Sequence, residues 1–305
     1  MAIHLIGTSA GMPSPERGMP CIFLSWKGFP FLWDMGEGSQ RELMRHRLGY
    51  GSIRHVFISH LHMDHFLGLY GYLETMRLLG IYGYPDAAKP APPAKKGDIF
   101  NIFAPKGFED LMSRQSDFIK VNQIKEGVLL KGDDFAISAF KNKHRPNSYG
   151  FIFEENERIR FNEKKAKSLG LKGPMFTEIM EKGRLAVNGK TIRLADVTYK
   201  TKGLKVLYTG DTAPFPGLER LAKGCDVIIH ECTFSADMEK EAHRKGHSTS
   251  KDAAELAAKA GAKTLILTHI SPRYTGGREK ALEEEAKKRF KGNVLLAYDG
   301  LKVEL

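Results

Sequence analysis

The chain has 305 residues, 42% of them hydrophobic and 27% charged, with 47 Lys and Arg against 36 Asp and Glu for a net charge of +11. This balance excludes wholesale disorder, and no apolar run is long enough to predict a membrane-spanning helix. Three cysteines, Cys21, Cys225 and Cys232, are odd in number and lack CxxC spacing. They argue against a disulfide framework or a zinc knuckle and for a reducing compartment. The N-terminal stretch meets Gly7 too early for a secretion signal, so the expected location is the cytoplasm.

In chain order, Ile3–Ile6 reads as a strand running into the loop Gly7-Thr8-Ser9-Ala10-Gly11. Cys21–Trp26 and Phe29–Trp33 flank Lys27-Gly28 and predict a hairpin. Asp34-Met35-Gly36-Glu37-Gly38-Ser39 is a tight turn, with Ser39 expected to cap a helix through His46. Arg54–Ser59 is a strand that delivers the chain into His60-Leu61-His62-Met63-Asp64-His65, and a helical pattern follows over Phe66–Leu79. Gly80–Asp98 is Pro-, Gly- and Lys-rich and reads as a loop. Strands are expected at Ile99–Phe103, Val128–Leu130, Phe135–Phe140, Tyr149–Phe153, Leu204–Tyr208, Asp226–Ile229, Lys263–Leu267 and Asn293–Ala297. Helices are expected at Lys251–Ala260 and Arg278–Phe290. The pattern is an α/β chain with one excursion. Between Asn156 and Lys205 stand 13 Lys and Arg against five acids, so this segment holds +8 of the total charge. Its turn signals at Gly170, Lys172-Gly173-Pro174, Gly183 and Asn188-Gly189 mark an insertion. Charge concentrated in this way suits a polyanion.

Histidine placement carries the chemistry. His60, His62, Asp64 and His65 fall within six residues directly after a strand. A loop cannot bury three imidazoles and a carboxylate without partners, and alternate residues leaving a strand share a face. Imidazole nitrogen and carboxylate oxygen form the donor set that first-row divalent metals prefer. His60 and His62 suit one metal, and Asp64 and His65 reach toward a second.

This HxHxDH pattern resembles that of the metallo-β-lactamase superfamily. Later segments match its remaining ligand stations in order: His144 in Lys143-His144-Arg145-Pro146, Asp211 in Thr209-Gly210-Asp211-Thr212, and His269 in Leu267-Thr268-His269-Ile270-Ser271. Within the superfamily the chain is most similar to the ribonuclease Z family, endonucleases that mature tRNA 3′ ends. That resemblance spans nearly the whole length. It rests also on Gly7–Gly11, Asp34–Gln40, His230-Glu231-Cys232-Thr233-Phe234, Gly246-His247-Ser248-Thr249 and Thr268–Tyr274.

The resemblance implies a four-layer αβ/βα sandwich, one domain over 1–305, with a basic substrate-binding arm inserted at about 156–202. It implies two zinc ions per subunit, with manganese as the alternative metal. His60, His62 and His144 would hold one, Asp64, His65 and His269 the other, and Asp211 would bridge them. A hydroxide between the metals would attack phosphorus, removing the 3′ trailer of precursor tRNA and leaving a tRNA 3′-OH. Asp64 would accept the proton, and His247 would donate to the leaving oxygen, oriented by Glu231. Family likeness also implies a homodimer. His230 reads as structural, and His4, His46, His55 and His243 receive no role.

One departure stands out: where the family's first loop reads P-x-K-x-R-N, this chain has Pro13-Ser14-Pro15-Glu16-Arg17-Gly18. Two other readings compete. A paralogue acting on small phosphodiesters or sulfate esters would have no use for +8 of charge outside its pocket. A non-catalytic RNA-binding protein would need a broken ligand set, yet all seven positions carry competent residues.

Overall fold

A computed structural model gives the fold and describes residues 1–81, 99–112 and 118–305. Most of the Gly80–Asp98 loop, residues 82–98, therefore lies outside the described residues. The contacts divide the chain into two units, Met1–Lys131 with Ile137–Phe153 and Lys205–Leu305, and Gly132–Ala136 with Glu154–Leu204. Among the described residues no helix is long and apolar enough to cross a membrane.

The larger unit is built on two seven-stranded sheets. The first takes β1 (Ala2–Gly7), β2 (Cys21–Trp26), β3 (Phe29–Trp33), β4 (His55–Phe57), β5 (Phe100–Ala104) and β6 (Ile119–Gln123) in sequence. The second begins with β7 (Gly127–Lys131), β8 (Phe135–Lys141) and β9 (Tyr149–Glu155). In the other unit lie β10 (Arg158–Phe161), β11 (Arg184–Val187), β12 (Lys190–Arg193) and β13 (Thr198–Thr201). The second sheet resumes with β14 (Lys205–Tyr208), β15 (Val227–Glu231), β16 (Thr264–Thr268) and β17 (Asn293–Leu296), and β18 (Leu301–Glu304) returns to pair with β1. Strands β3 to β6 are parallel in one sheet and β14 to β17 in the other.

The inner strands such as β2, β15 and β16 are buried on both faces, which is why they read as near-continuous apolar runs. Between the sheets lies an aromatic seam. Phe31 stacks on Phe153, and Trp33 on Phe151 and Tyr208, with ring centroids 5.8–6.2 Å apart. On the outside of the first sheet, α1 (Ser39–Arg45), α2 (Met63–Phe66) and α3 (Gly68–Leu78) bury Leu43, Phe66, Leu69, Tyr72, Leu73 and Met76.

In the smaller unit, α4 (Glu163–Ser168), α5 (Met175–Lys182) and α6 (Leu194–Val197) join the hairpin β11–β12 and the pair β10–β13. They enclose a core of their own from Ala166, Leu171, Ile179, Val187, Ile192 and Val197. The second sheet is covered by α7 (Leu218–Ala222), α9 (Ser250–Ala260) and α10 (Lys280–Lys287), with α8 (Glu239–Lys245) preceding α9. The helix–sheet–sheet–helix order is the four-layer α/β sandwich expected from the sequence.

Several boundaries differ from expectation. Ser39 is the first residue of α1, not its cap. The cap is Gly38 at φ 82°, and the Ser39 hydroxyl instead donates to Gly36 O at 2.6 Å. The pattern over Phe66–Leu79 divides at Leu67–Gly68 into α2 and α3, because Gly68 must pass against the Asp34–Ser39 turn. A Cβ built on Gly68 would lie 1.9 Å from Gly36 O, and one on Gly36 would lie 2.2 Å from Asp64 O. The segment expected as an arm holds four strands and three helices where the sequence showed only turns.

These close approaches lock the loop around Asp64 to the first sheet. Gly68→Ala should therefore destabilise by about 3 kcal/mol, since backbone rather than a flexible side chain must give way. Thermal unfolding of the variant against the parent measures this.

Candidate metal centre

The parallel strands of both sheets end at one edge, the usual place for a ligand crevice in α/β folds. Loops leaving β4, β8, β14 and β16 carry His60 to His65, His144, Asp211 and His269 to that edge, where β15 ends on Glu231. Register sets the alignment, for Tyr208 pairs with Ile229, Ile229 with Ile266 and Glu231 with Thr268.

Asp211 lies at the centre. Its Oδ2 is 3.7 Å from His60 Nε2, 3.5 Å from His65 Nε2, 4.0 Å from His144 Nε2, 3.4 Å from His269 Nε2 and 3.9 Å from His247 Nδ1. His62 Nδ1 stands 3.0 Å from His60 Nε2 and 3.3 Å from His144 Nε2. Asp64 Oδ2 is 3.5 Å from His65 Nε2 and 3.6 Å from His269 Nε2, and accepts the Gly11 N–H at 3.0 Å. The structure thus brings all seven expected ligands together. His60, His62, His144 and Asp211 form one group and Asp64, His65 and His269 another, the donor atoms of each within 4.8 Å of one another.

These groups fit divalent cations. Asp211 Oδ1, His65 Nε2 and His269 Nε2 are buried with no hydrogen-bond partner among the described residues, which is costly for polar atoms unless something else occupies their lone pairs. Burial, with the neighbouring imidazoles, lowers the pKa of His60, His62 and His144 and favours the neutral ring that ligates metal. Burial also pushes the Asp211 carboxyl up, but His269, His65 and His60 overcome it and hold it well below the ordinary carboxylate range.

A surrounding layer fixes each ring. His65 Nδ1 donates to Asp34 Oδ2 at 2.8 Å, and that oxygen also accepts from Tyr208 OH and Ser59 Oγ at 2.8 and 2.9 Å. His144 Nδ1 donates to Gly246 O at 2.9 Å. Thr233 Oγ1 lies 2.8 Å from His269 Nδ1 and donates to Glu231 Oε2 at 2.6 Å. The other Glu231 oxygen, Oε1, accepts from His247 Nδ1 at 2.9 Å and from Thr212 N at 3.0 Å. Asp34, Ser59, Thr233 and the Gly246 carbonyl were missed by sequence reasoning. Asp34 was visible only as part of a turn. His230, read as structural, is buried and bonds through Nδ1 to Glu231 O at 2.7 Å.

In the departing loop Arg17 is buried. Its guanidinium donates to Thr8 Oγ1 at 2.7 Å and Ala297 O at 2.6 Å, while Gly18 N–H meets Asp299 Oδ2. Arg17 therefore anchors the loop to the sandwich. A Cβ on Gly18 would lie 3.3 Å from Asp299 Oδ2, which would have to give by a few tenths of an ångström.

A Beta-lactamase superfamily domain model matches residues 32–270. "Ribonuclease Z" of Archaeoglobus fulgidus is 37% identical over 99% of this chain and 97% of that protein. "Ribonuclease Z" of Methanosarcina acetivorans is 32% identical over 100% and 98%. The chain belongs to the ribonuclease Z family. Among solved structures, human tRNase Z, short form, superposes with a TM-score of 0.67 at 25% identity, covering 100% of this chain and 99% of that one. The family is one of endoribonucleases of the metallo-β-lactamase superfamily, and its fold implies divalent-metal binding.

Although burial lowers it, the Glu231 carboxylate holds the His247 pKa up at about 9. Because folding raises this pKa, the stability gained from protonating His247 is fully present below about pH 6.5, as long as Glu231 stays ionised, and is lost as pH rises through about 9. NMR titration of the metal-free protein should place His247 near 9, and Glu231→Gln should return it toward about 6.5. Thermal unfolding across that window should show the matching loss of stability in the parent and a weaker dependence in the variant.

Proposed function

We propose that this chain is a zinc-dependent cytoplasmic endoribonuclease that removes 3′ trailers from precursor tRNA, with manganese as an alternative metal. The observation that carries the reading is the convergence of seven His and Asp side chains that could hold metal, with Asp211 Oδ1, His65 Nε2 and His269 Nε2 buried and unpartnered among the described residues. On this reading His60, His62 and His144 hold one cation, Asp64, His65 and His269 the other, and Asp211 both. Bound there, divalent cations supply Lewis acidity at the scissile phosphate and lower the pKa of the attacking water.

The chain's own residues do the rest. Below its ordinary pKa through His65 and His269, and despite its burial, Asp64 stays ionised as the proton acceptor at the site's edge. Glu231 keeps His247 protonated. With Nδ1 committed to Glu231, the transferable proton sits on Nε2 and passes to the departing 3′ oxygen as the P–O3′ bond breaks. The products are a tRNA 3′-OH and a trailer bearing a 5′ phosphate.

The smaller unit supports an RNA substrate. Every Lys and Arg from Arg158 to Lys202 is exposed. Arg158, Lys167, Lys182 and Lys200 pair with Glu155, Glu163, Glu178 and Glu157, but the acids are too few to neutralise the segment. Such an array suits a phosphate backbone and makes binding salt-dependent. Homodimeric assembly, taken from family likeness, belongs to the same reading and is checked by light scattering.

Purified, zinc-loaded protein incubated with end-labelled precursor tRNA should give one cut at or just past the discriminator. Chelation should abolish it and added zinc restore it. Asp211→Ala should reduce cleavage by about a thousandfold or more. Brisk turnover of a small phosphodiester without RNA cleavage would leave the metal site standing and overturn the substrate. The two ends of the arm meet where Glu155 N donates to Leu204 O at 2.8 Å, so residues 156–202 can be replaced by a short glycine linker. That replacement should raise KM for precursor tRNA and flatten its salt dependence, with turnover of bis(p-nitrophenyl) phosphate nearly unaffected. Equal loss on both substrates would overturn the arm's role.

A further inference from the structure

His247 stands on a short bridge, Gly246 to Thr249, between α8 and α9. Three contacts tie the bridge to the metal centre. Gly246 O accepts from His144 Nδ1, His247 Nδ1 bonds to Glu231, and Ser248 Oγ donates to Thr212 O at 2.6 Å, beside Asp211. Gly246 is at φ 79°, and a Cβ there would lie 3.0–3.2 Å from atoms of His144. A small shift of the bridge therefore moves His247 and the carbonyl that orients His144 together.

What holds the bridge's far side is a pair of residues outside the centre. His243, in the last turn of α8, places Nε2 2.9 Å from Asp252 Oδ2 in the first turn of α9. The same oxygen accepts from Thr249 N at 2.9 Å and Thr249 Oγ1 at 2.7 Å, and Thr249 Oγ1 accepts from Asp252 N at 3.2 Å. Asp252 thus closes a capping box on α9 and reaches back to α8. The Asp252 carboxylate sits at the helix end whose dipole favours a negative charge. The Asp252 side chain is 9% exposed and that of His243 36%. Glu239 adjoins them, but Lys251 Nζ bonds its two carboxylate oxygens at 3.1 and 3.2 Å, which commits that carboxylate to an ion pair rather than to a cation.

We propose that His243 and Asp252 form a clasp across the bridge that sets the position of His247, so that His243 is a positioning residue for proton donation to the leaving oxygen. The inference rests on the reading of His247 as the proton donor. Its physical basis is that the clasp joins the two helix ends that carry the bridge, so the donor's reach is fixed by rigid elements rather than by the loop. Misplacement of a catalytic group by a fraction of an ångström costs turnover without changing the ligands of the metal.

The test compares precursor tRNA with bis(p-nitrophenyl) phosphate, whose nitrophenolate leaves without a proton, in the full-length, zinc-loaded protein. His243→Leu should lower kcat on precursor tRNA about tenfold, with KM and zinc content unchanged and turnover of the nitrophenyl ester within about twofold of the parent. His243→Gln, which keeps a side-chain N–H to offer Asp252, should regain most of the loss. His247→Ala should lose far more on RNA than on the ester. If His247→Ala shows that split and His243→Leu matches the parent on RNA, the clasp is overturned and the donor stands. If His247→Ala affects both substrates alike, the donor reading fails and the clasp with it. Parallel loss of both activities or of zinc in His243→Leu would make the contact merely structural and overturn the proposal.

Discussion

A buried carboxylate surrounded by imidazoles is the constraint on which the rest of the structure depends. Asp211 Oδ2 lies within 4.0 Å of nitrogens from five histidines, and its other oxygen has no hydrogen-bond partner among the described residues. Such a centre stays assembled only if each ring is held from behind. His65, His144 and His269 turn Nε2 toward Asp211 and anchor Nδ1 on Asp34, Gly246 O and Thr233, and His60 Nδ1 lies 3.0 Å from Ser59 Oγ. With Nδ1 committed outward, Nε2 is the atom left to offer a lone pair inward, as a metal needs. The anchors come from both sheets, so the donor set exists only when the sandwich is closed.

The sandwich meets that demand through its seam and its strand ends. Stacked rings of Trp33, Phe151 and Tyr208 bind the sheets face to face, and the Tyr208 hydroxyl reaches on to Asp34. Apolar packing and polar anchoring therefore meet in one residue. The parallel strands on each side deliver their loops to a common edge, and two non-glycine residues there, Asp34 and His269, adopt left-handed backbone at φ 56°. Strain of this kind persists only where surrounding contacts over-determine it. Here they do, because Asp34 accepts four hydrogen bonds and His269 is gripped by Thr233 and by the pairing of Ser9 with Ile270.

Much of this was legible in the sequence, for physical reasons that differ by residue. His60, His62, Asp64 and His65 are readable because their chemistry is packed into one short stretch after an apolar strand. His144, Asp211 and His269 are readable only as stations after strands, in the order a known family supplies. Asp34 is far from His65 in the chain, and nothing local distinguishes a carboxylate that anchors an imidazole from one that ends a turn. Thr233 works by passing Glu231's charge to His269 across two loops, a relation that exists only in three dimensions. The smaller unit is hard to read because its strands are four residues long and too polar for periodicity to show. The turn signal Asn188-Gly189 is the tip of the hairpin β11–β12, with both residues at positive φ as a type I′ connection requires.

The two electrostatic systems in the chain obey different rules. Around Asp211 the charges are buried, so salt screens them little and geometry alone sets their strength. Between Arg158 and Lys202 they stand in solvent, where ion pairs such as Lys167–Glu163 and Lys182–Glu178 contribute little stability and the net excess matters more than any one contact. The exposed set does not need to hold its own unit together, because Leu171, Ile179, Val187 and Ile192 form an apolar core beneath it. That core lets the surface carry a surplus of one sign without unfolding. On the proposed reading, affinity for a polyanion varies with salt while bond breaking, governed by Asp64, His247 and the metal-binding residues, does not. The separation follows from burial alone: the reacting groups are those the sandwich removes from water, and the recognising groups are those it leaves there.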